Sequence, residues 1–395
     1  MKHSWLAVIM LAMLASCTSE DPVSQPVVGD DRIVESFPVT LSRQKAAPGI
    51  DMSEENADSL IIIDGFNNGD LLYFSQLSPS VAPNFTDQTE TASPYLYIYE
   101  YEENPNAHWY EGYNFIVKEG KQALDWDVVK SVGSVGNAFS LYGMYFPLDN
   151  TVKFNVLINQ KGPAENPYDP SNFMTSDIMG AYHATSALFT RMRFRLFHLM
   201  VYLRVTLYVP VYEDEVNDDY TQAQYSGFLE GAVKGAFVRN ANTDFSIEWY
   251  ANRSSDTEAP LTKTGTTKSN IIMYEHEPDE DAIIDDLYVK SFYTQGDITY
   301  DRVREYNFSV LFPAQTFGDD FLCFALQAPD GKMKYYYFSG TQIVGESGNF
   351  SLTQGTLQRL YLYIPRKTNE TILVGAKILP WKDAQTDMTV TKKTE

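Results

Sequence analysis

Apolar and polar side chains alternate along most of the chain, and the alternation is clearest over residues 191–209. A period of two over this length is typical of a β-strand that buries one face in a core. Arg193, Arg195 and Arg204 argue against a membrane helix, because each charge is expensive at bilayer depth. We therefore predict one long central strand here. Its apolar face comprises Phe197, Leu199, Val201, Leu203, Val205, Leu207 and Val209.

Shorter segments with the same alternation, separated by turn residues, follow one another from Ser59 onward, and the stretch 161–189 is a long connection. No segment shows the 3.6-residue period of a helix of usual length. Many short strands with turn signals predict an all-β protein built from two tandem β-sandwich domains. The expected strands include LLYFSQL, YLYIYEYEE, YNFIVKEG, FSLYGMYFPLD, TVKFNVLI, FLEGAVKGAFV, DFSIEWYA, NIIMYEH, REYNFSVLFPA, FLCFALQA, MKYYYFSG, QRLYLYIPR and TILVGAKILPW.

The acidic stretch 213–219 is the best candidate for a domain boundary, because it is polar and lies between two sets of apolar strands. We predict a first sandwich domain over residues 59–212 and a second over residues 213–395. The long strand is then the last core strand of the first domain. An N-terminal segment over residues 17–58 precedes these domains.

The start of the chain, residues 1–16, is typical of a secretory signal, with a basic Lys2 followed by an apolar run. Leu14-Ala15-Ser16-Cys17 is similar to the bacterial lipobox, in which cleavage before the cysteine frees an amine and the thiol carries diacylglycerol. Several acyl chains on Cys17 would hold the protein firmly to a membrane. A plain signal peptide with an incidental cysteine is the alternative.

Residues 33–41, IVESFPVTL, form a further candidate strand, although Pro38 restricts it to a sheet edge or interrupts it. The next residues, SRQKAAPG at 42–49, describe an exposed loop that is open to proteases. Arg43 and Lys45 form a basic cluster within an acidic region. Each of them is, in the simpler interpretation, an ordinary solvated loop residue.

Composition narrows the classes of partner. A formal net charge of -22 makes nucleic acid a poor partner and disfavours attraction of the protein body to an anionic membrane surface. The aromatic content of 14%, with 27 tyrosines, favours β-structure. Of the two cysteines, Cys323 lies in the apolar run FLCFAL, and we predict that it is a small buried hydrophobe.

Sequence motifs for catalysis are absent: the chain has no G-x-S-x-G, H-E-x-x-H, G-x-x-x-x-G-K or C-x-x-C. The five histidines are scattered, and His198 is interpreted as a satisfied packing residue. The acidic runs 213–219 and 277–286 do not match an EF-hand, so solvated loops are favoured over Ca²⁺ sites. We therefore expect no enzyme activity, no metal site and no cofactor.

The chain resembles the fimbrillin family of Bacteroidales, the subunits of protease-dependent (type V) pili, over nearly all of its mature length. Thr18-Ser19-Glu20-Asp21 also looks like the export signal of surface lipoproteins in Bacteroidetes. The resemblance depends on the order of several motifs rather than on any one of them. These are the lipobox at Cys17, the loop at Arg43, Asn68-Gly69-Asp70 before LLYF, Asp177-Ile178-Met179-Gly180-Ala181, Phe194 and Phe197-His198, Pro313-Ala314-Gln315, and Ile378-Leu379-Pro380-Trp381.

The resemblance implies transthyretin-like, Greek-key sandwich domains and a structural, adhesive role in fimbriae on the outer face of the outer membrane, with lipid on Cys17. In such subunits a trypsin-like protease cuts the loop after the first strand, that strand leaves, and a strand of the neighbouring subunit fills the groove. The expected partners are other fimbrial subunits of the same or another kind, the processing protease and an unidentified surface receptor.

Carried over to this chain, the resemblance assigns cleavage to Arg43 or Lys45. The region 371–390 is a candidate donor strand. The removable strand is 33–41, with the apolar residues Ile33, Val34, Phe37, Val39 and Leu41.

Three alternatives stay open. Anchor and tip subunits of such pili keep the first strand, so the chain is in that case a non-polymerising fimbrial protein. A surface lipoprotein that binds glycans through exposed aromatic residues such as Trp109, Trp126 and Trp249 is the second. A hydrolase whose carboxylates are dispersed in the sequence is the third.

Overall fold

Strands make up nearly all of the regular structure in the part of the chain that the computed structural model describes. This part contains 23 strands and two helices of four residues each, α1 (Ser171–Met174) and α2 (Thr341–Val344). The predicted all-β fold class is confirmed, and the division into two sandwich domains stays a prediction. The described residues are 33–34, 36–41, 71–77, 96–101, 113–121, 124–125, 138–146, 155–186, 194–212, 227–248, 261–278, 283–289, 299–344, 350–364 and 372–380.

The first half of the chain contributes β1 (Ile33–Val34), β2 (Ser36–Leu41), β3 (Leu71–Leu77), β4 (Leu96–Tyr101), β5 (Tyr113–Val117), β6 (Leu124–Asp125), β7 (Ala138–Phe146), β8 (Met179–Ser186) and β9 (Phe194–His198). Seven of these strands close into one sheet in the order β2-β5-β4-β3-β7-β8-β9. Neighbours in it are antiparallel, except that β9 and β2 are parallel. Strands β1 and β6 pair apart from this sheet.

The second half contributes β10 (Val201–Pro210), β11 (Val233–Asn242), β12 (Phe245–Glu248), β13 (Leu261–Thr264), β14 (Lys268–Ile272), β15 (Tyr274–Glu275), β16 (Ile283–Val289), β17 (Thr299–Phe312), β18 (Gln315–Phe317), β19 (Leu322–Gln327), β20 (Met333–Phe338), β21 (Phe350–Leu352), β22 (Thr356–Tyr363) and β23 (Ile372–Pro380). One sheet has the order β15-β17-β10-β22-β23, with β16 as a sixth strand on β17. A four-stranded sheet has the order β14-β11-β19-β20. Strands β12 and β13 form a separate pair, as do β18 and β21.

The core of the second half lies between the six-stranded and four-stranded sheets. Leu203, Val205 and Leu207 of β10 are fully buried on one face of the six-stranded sheet. Phe308 stands opposite Val205 on β17, and its ring centroid lies 6.0 Å from that of Phe324 on β19. The two sheets therefore share one apolar layer, as in a β-sandwich.

The long strand predicted over residues 191–209 is divided in the structure. β9 ends at His198 and β10 begins at Val201, and the two lie in different sheets. The prediction of one continuous strand is wrong, because only β9 belongs to the closed sheet of the first half. β10 pairs with β17 and β22, which both come from the second half. The alternation correctly indicated a buried face, but it carries no information about which strands will pair with it.

Residues 155–178, which we call the strap, lead from β7 to β8 and lie against strands of the second half. The N–H of Val156 donates to the carbonyl of Thr243 at 3.0 Å. The carbonyl of Ile158 accepts a hydrogen bond from the N–H of Ile272 at 2.8 Å. The strap therefore ties the closed sheet to the strands of the second half.

Two local predictions need correction at the strap. Of the strand expected from TVKFNVLI, the described residues 155–158 make one isolated bridge, at Asn155, and a second isolated bridge follows at Asn159. The connection expected over residues 161–189 contains α1 and all of β8. The sequence of β8, MGAYHATS, is small and mixed in polarity, and its strand conformation depends on pairing with β7 rather than on a pattern of its own.

Gln160 fixes the strap to β17 from inside the core. Its side chain is fully buried, and its Nε2 donates to the carbonyl of Leu311 at 2.7 Å. The N–H of Leu311 donates in return to Oε1 of Gln160 at 2.9 Å. The amide thus satisfies both backbone polar groups of Leu311 in the way that a neighbouring strand would.

We predict that Gln160→Met, which keeps the volume and removes the amide, lowers the free energy of unfolding by about 2–4 kcal/mol, because two buried backbone groups lose their partners. Urea unfolding followed by tyrosine fluorescence measures the change. The matched control is Gln327→Met, since Gln327 makes its hydrogen bond to Gly331 at an exposed turn. The control is expected to stay within about 0.5 kcal/mol of the parent protein, and equal losses in both variants would contradict the role of Gln160.

Candidate functional site

Strand β2 lies between β5 and β9 and closes the seven-stranded sheet. Its residues 36–39 pair antiparallel with β5, and its residues 39–41 pair parallel with β9. Only Val39 has a partner on both sides. β2 therefore joins two strands that have no pairing with each other in the described structure.

Pro38 lies where β2 is paired on one side only. It stands opposite Asn114 of β5, and the pairing with β9 begins one residue later. Proline has no N–H to donate and is tolerated where one side of a strand is unpaired. Pro38 therefore has an unpaired side, as expected for a strand edge, although β2 as a whole lies between two strands. The strand continues through Pro38 without interruption.

Loss of residues 33–41 would leave an open place in the sheet, which we call the β2 slot. The segment pairs with β6 at two positions, with β5 at four and with β9 at three. Since neighbouring strands lie about 4.8 Å apart, β5 and β9 would border a groove roughly 9–10 Å wide. Both borders would present unpaired backbone groups, and such edges readily pair with another strand.

The predicted processing residues lie outside the described part of the chain. These residues are Cys17, Arg43 and Lys45. The predicted removable strand, 33–41, is described as β1 and β2. β2 ends at Leu41, so Arg43 and Lys45 follow its last residue by two and four positions.

Asp177 and His198 meet beside the β2 slot. Asp177 is the next-to-last residue of the strap and is fully buried. Its Oδ1 lies 2.9 Å from Nδ1 of His198, so the imidazole N–H can donate to the carboxylate. His198 is the last residue of β9 and is mostly buried. The other carboxylate oxygen, Oδ2, has no hydrogen-bond partner among the described residues.

This pair was missed in the sequence, where the two residues are 21 positions apart and show no ligand or catalytic spacing. The interpretation of His198 as a satisfied side chain agrees with the contact, but its carboxylate partner was not foreseen. The available signal was the order of two motifs, the one that starts at Asp177 and the one that ends at His198. In the structure the first residue of one motif, Asp177, is hydrogen-bonded to the last residue of the other, His198.

A second polar cluster lies inside the six-stranded sheet. Nε2 of His276 lies 2.7 Å from Oγ of Ser309, and the hydroxyl of Tyr202 lies 3.0 Å from the same oxygen. Burial, followed by the charge of Arg204, lowers the pKa of His276 from 6.5 to about 3. Burial also raises the pKa of Tyr202. The imidazole and the phenol are therefore both neutral at pH 7.

The Ser309–His276 contact has the distance of a nucleophile and its base. Ser309 is fully buried, however, and the hydroxyl of Tyr202 shares its oxygen. The cluster satisfies three buried polar side chains and holds β15, β17 and β10 together. Its arrangement is that of a structural hydrogen-bond chain.

Cys323 is buried on β19, as predicted, and burial raises the pKa of its thiol. A thiol with a raised pKa holds little thiolate at pH 7 and is a poor nucleophile. The predicted role as a small buried hydrophobe is confirmed.

The described residues offer neither a metal cluster nor a helix suited to a membrane. Among them no group of three or more His, Cys, Asp or Glu side chains could hold a metal ion. No helix within the same residues is long and apolar enough to cross a membrane. The acidic run 213–219 and the tryptophans Trp109, Trp126 and Trp249 lie outside this part of the chain.

The lowered pKa of His276 predicts a stability that depends on pH. Below about pH 6.5 the unfolded chain binds a proton at His276, whereas the folded chain does not. The free energy of unfolding is therefore highest above pH 6.5 and decreases as the pH falls towards 3. We expect the parent protein to lose about 1 kcal/mol more per pH unit than His276→Gln between pH 6 and pH 4. Urea unfolding at a series of pH values measures the difference.

The control variant is Tyr202→Phe, which removes a hydrogen bond to Ser309 and leaves the histidine in place. It is expected to be less stable at every pH but to keep the slope of the parent protein. Identical slopes for the parent protein and His276→Gln would show that His276 titrates normally in the folded state.

No family model and no curated protein matches the chain. Solved structures do match it. A candidate cell adhesion protein from Bacteroides uniformis is 14% identical, with a TM-score of 0.44, over 91% of this chain and 100% of the other. A second, from Bacteroides ovatus, is 11% identical, with a TM-score of 0.43, over 81% and 90% of the two chains.

The tip fimbrial protein Mfa3 from Porphyromonas gingivalis, with a C-terminal truncation, is also similar. It is 7% identical, with a TM-score of 0.32, over 80% of this chain and 95% of the other. These three solved structures are thus two candidate cell adhesion proteins and one tip fimbrial protein.

Proposed function

We propose that this protein is a structural and adhesive subunit of cell-surface fimbriae, assembled by protease-triggered strand exchange. The observation that supports this most is the position of β2. It is among the first strands of the chain, and it closes a sheet from a place between β5 and β9. A single cut after it, at Arg43 or Lys45, separates residues 33–41 from the rest of the chain and leaves the β2 slot to be filled.

The physics of the slot favours replacement by another strand. Its borders offer backbone groups on both sides, so an incoming strand gains two ladders at once rather than one. A donor that runs in the direction of β2 is antiparallel to β5 and parallel to β9, and reproduces the existing registers. Alternating side chains of the donor then supply specificity, because they face the same surroundings as those of β2.

We propose a donor that starts later than the candidate region 371–390. Its first part, β23, pairs along its whole length with β22 at one edge of the six-stranded sheet. A donor must be free to leave its own subunit, and β23 is already paired. We therefore assign the donor to residues 381–395, which follow β23 and contain the alternating β-prone run Met388-Thr389-Val390-Thr391.

The subunit is attached to the outer face of the outer membrane before it is processed. A lipid on Cys17 attaches the unprocessed subunit to the outer membrane, and acidic residues directly after it direct the subunit to the outer face. Because Cys17 precedes the cut, processing also releases the subunit from its lipid. An anchor or tip subunit is the variant of the same proposal in which the cut does not occur.

We predict that trypsin converts the chain beginning at Thr18 from a monomer into a ladder of multimers on an unboiled denaturing gel. Release of residues 33–41 opens the slot, and a neighbouring subunit fills it. Mass spectrometry is expected to place the cut after Arg43 or Lys45. Arg43→Ala/Lys45→Ala is the matched control, and it should stay monomeric under the same digestion.

The competitor is a synthetic peptide of residues 381–395 with norleucine in place of Lys382, Lys392 and Lys393, so that trypsin cannot cut it. Added in excess before trypsin, it is expected to suppress the ladder by occupying the slots. A parent protein that is cut after Arg43 yet stays monomeric would overturn the polymerising form of the proposal. A chain that resists cleavage there fits the anchor or tip form.

A disulfide across β2 and β5 provides a reversible test of strand release. Phe37 and Phe115 stand directly opposite each other. The Cα atoms of opposite residues in antiparallel strands lie about 4.5–5.5 Å apart, which is within the Cα–Cα range of a disulfide. We predict that oxidised Phe37→Cys/Phe115→Cys is cut by trypsin but forms no ladder. Dithiothreitol should restore the ladder to the level of the Phe37→Cys single variant. A ladder that forms equally well with the disulfide intact would show that β2 stays in place.

A further inference from the structure

Strand β9 is held by different neighbours along its length. Residues 194–196 pair with β2, whereas Phe197 and His198 pair with Gly180 and Met179 of β8. No position of β9 pairs with both neighbours. One wall of the β2 slot therefore depends on the slot's own occupant for the pairing of its first three residues.

With the slot empty, β9 keeps few backbone contacts among those described. The two pairs with β8 remain, and the N–H of Leu199 still donates to the carbonyl of Ile178 at 2.9 Å. A ladder this short frays easily, because each net hydrogen bond contributes only about 1 kcal/mol. If β9 lost its ordered position, it would have to be ordered again each time a new strand binds. This would slow the binding of that strand.

The contact between Asp177 and His198 is the side-chain link at this point. It joins Asp177, next to the end of the strap, to the last residue of β9, directly beside the short ladder. A buried carboxylate is expensive unless it is paired, and removal of its partner leaves an uncompensated group inside the protein. His198 is the described partner of this carboxylate. Displacement of β9 would therefore leave Asp177 buried without a hydrogen-bonded partner, which costs free energy.

We propose that Asp177 and His198 form a latch that keeps β9 in place as a wall of the β2 slot while the slot is empty. Asp177 is in this sense a positioning residue for strand uptake. The inference rests on the proposed strand exchange. In this proposal the strap keeps β9 in the position that accepts a new strand. The strap can do so because Gln160 anchors it to β17 of the six-stranded sheet.

The test uses the full chain after cleavage and release of residues 33–41, with a fluorescent peptide of residues 31–41 as the incoming strand. We expect Asp177→Ala to slow peptide capture about tenfold, the effect of losing one charge-assisted hydrogen bond. Hydrogen exchange of residues 194–199 in the emptied protein should speed up by a similar factor. Asp177→Asn, which keeps an acceptor for the imidazole N–H, should retain most of the capture rate.

The control variant is Thr206→Val, which removes a hydrogen bond to Asn307 on the six-stranded sheet, away from β9. It should lower the stability of the uncut protein without changing capture or exchange at residues 194–199. If Asp177→Ala does not fold, His198→Phe removes the same contact while keeping a flat ring. Equal capture and exchange in the latch variants and the parent protein would overturn the latch.

Failure of the latch and failure of strand exchange give different results. A parent protein that loses residues 33–41 and captures no peptide contradicts strand exchange. The latch is then judged by hydrogen exchange of residues 194–199 alone, where faster exchange in Asp177→Ala supports it and unchanged exchange refutes it.

Discussion

Backbone groups inside a sheet must be paired, and β2 meets this requirement for β5 and β9 together. The other strands of the closed sheet follow one another without a gap, so its closure depends on this one segment. β2 also comes before the basic loop at Arg43 and Lys45 in the sequence. The strand that closes the sheet and the predicted cleavage loop are therefore neighbours in the sequence, and the proposed function depends on that combination.

The strap is the second feature on which the arrangement depends. Phe173 packs between Tyr202 and Tyr274, with ring centroids 5.5 Å from each, and so anchors α1 on the six-stranded sheet. Aromatic pairs at this distance add stability beyond the area they bury. Gln160 and Asp177 lie on the same segment, one bound to β17 and the other to β9. The strap thus connects β9 of the closed sheet with the six-stranded sheet of the second half.

Much of the fold could be predicted from the sequence, because strand alternation and turn residues are local signals. The segments LLYFSQL, YLYIYEYEE and FLCFALQA contain β3, β4 and β19, and the buried face of β10 matches the predicted apolar positions. What failed depends on distant contacts. The division between β9 and β10 and the strand β8 are decided by pairing partners, which a period of two does not specify.

The sequence by itself determined many of the strand segments, the apolar face of β10 and the burial of Cys323. It also predicts a protease-sensitive loop after the first strands. Only the tertiary structure decided that β2 lies between β5 and β9, that Asp177 meets His198, and that His276 meets Ser309. The physical reason is the range of the interactions. Propensity and amphipathic pattern act between neighbours in the chain, whereas strand order and buried polar pairs arise from residues brought together by folding.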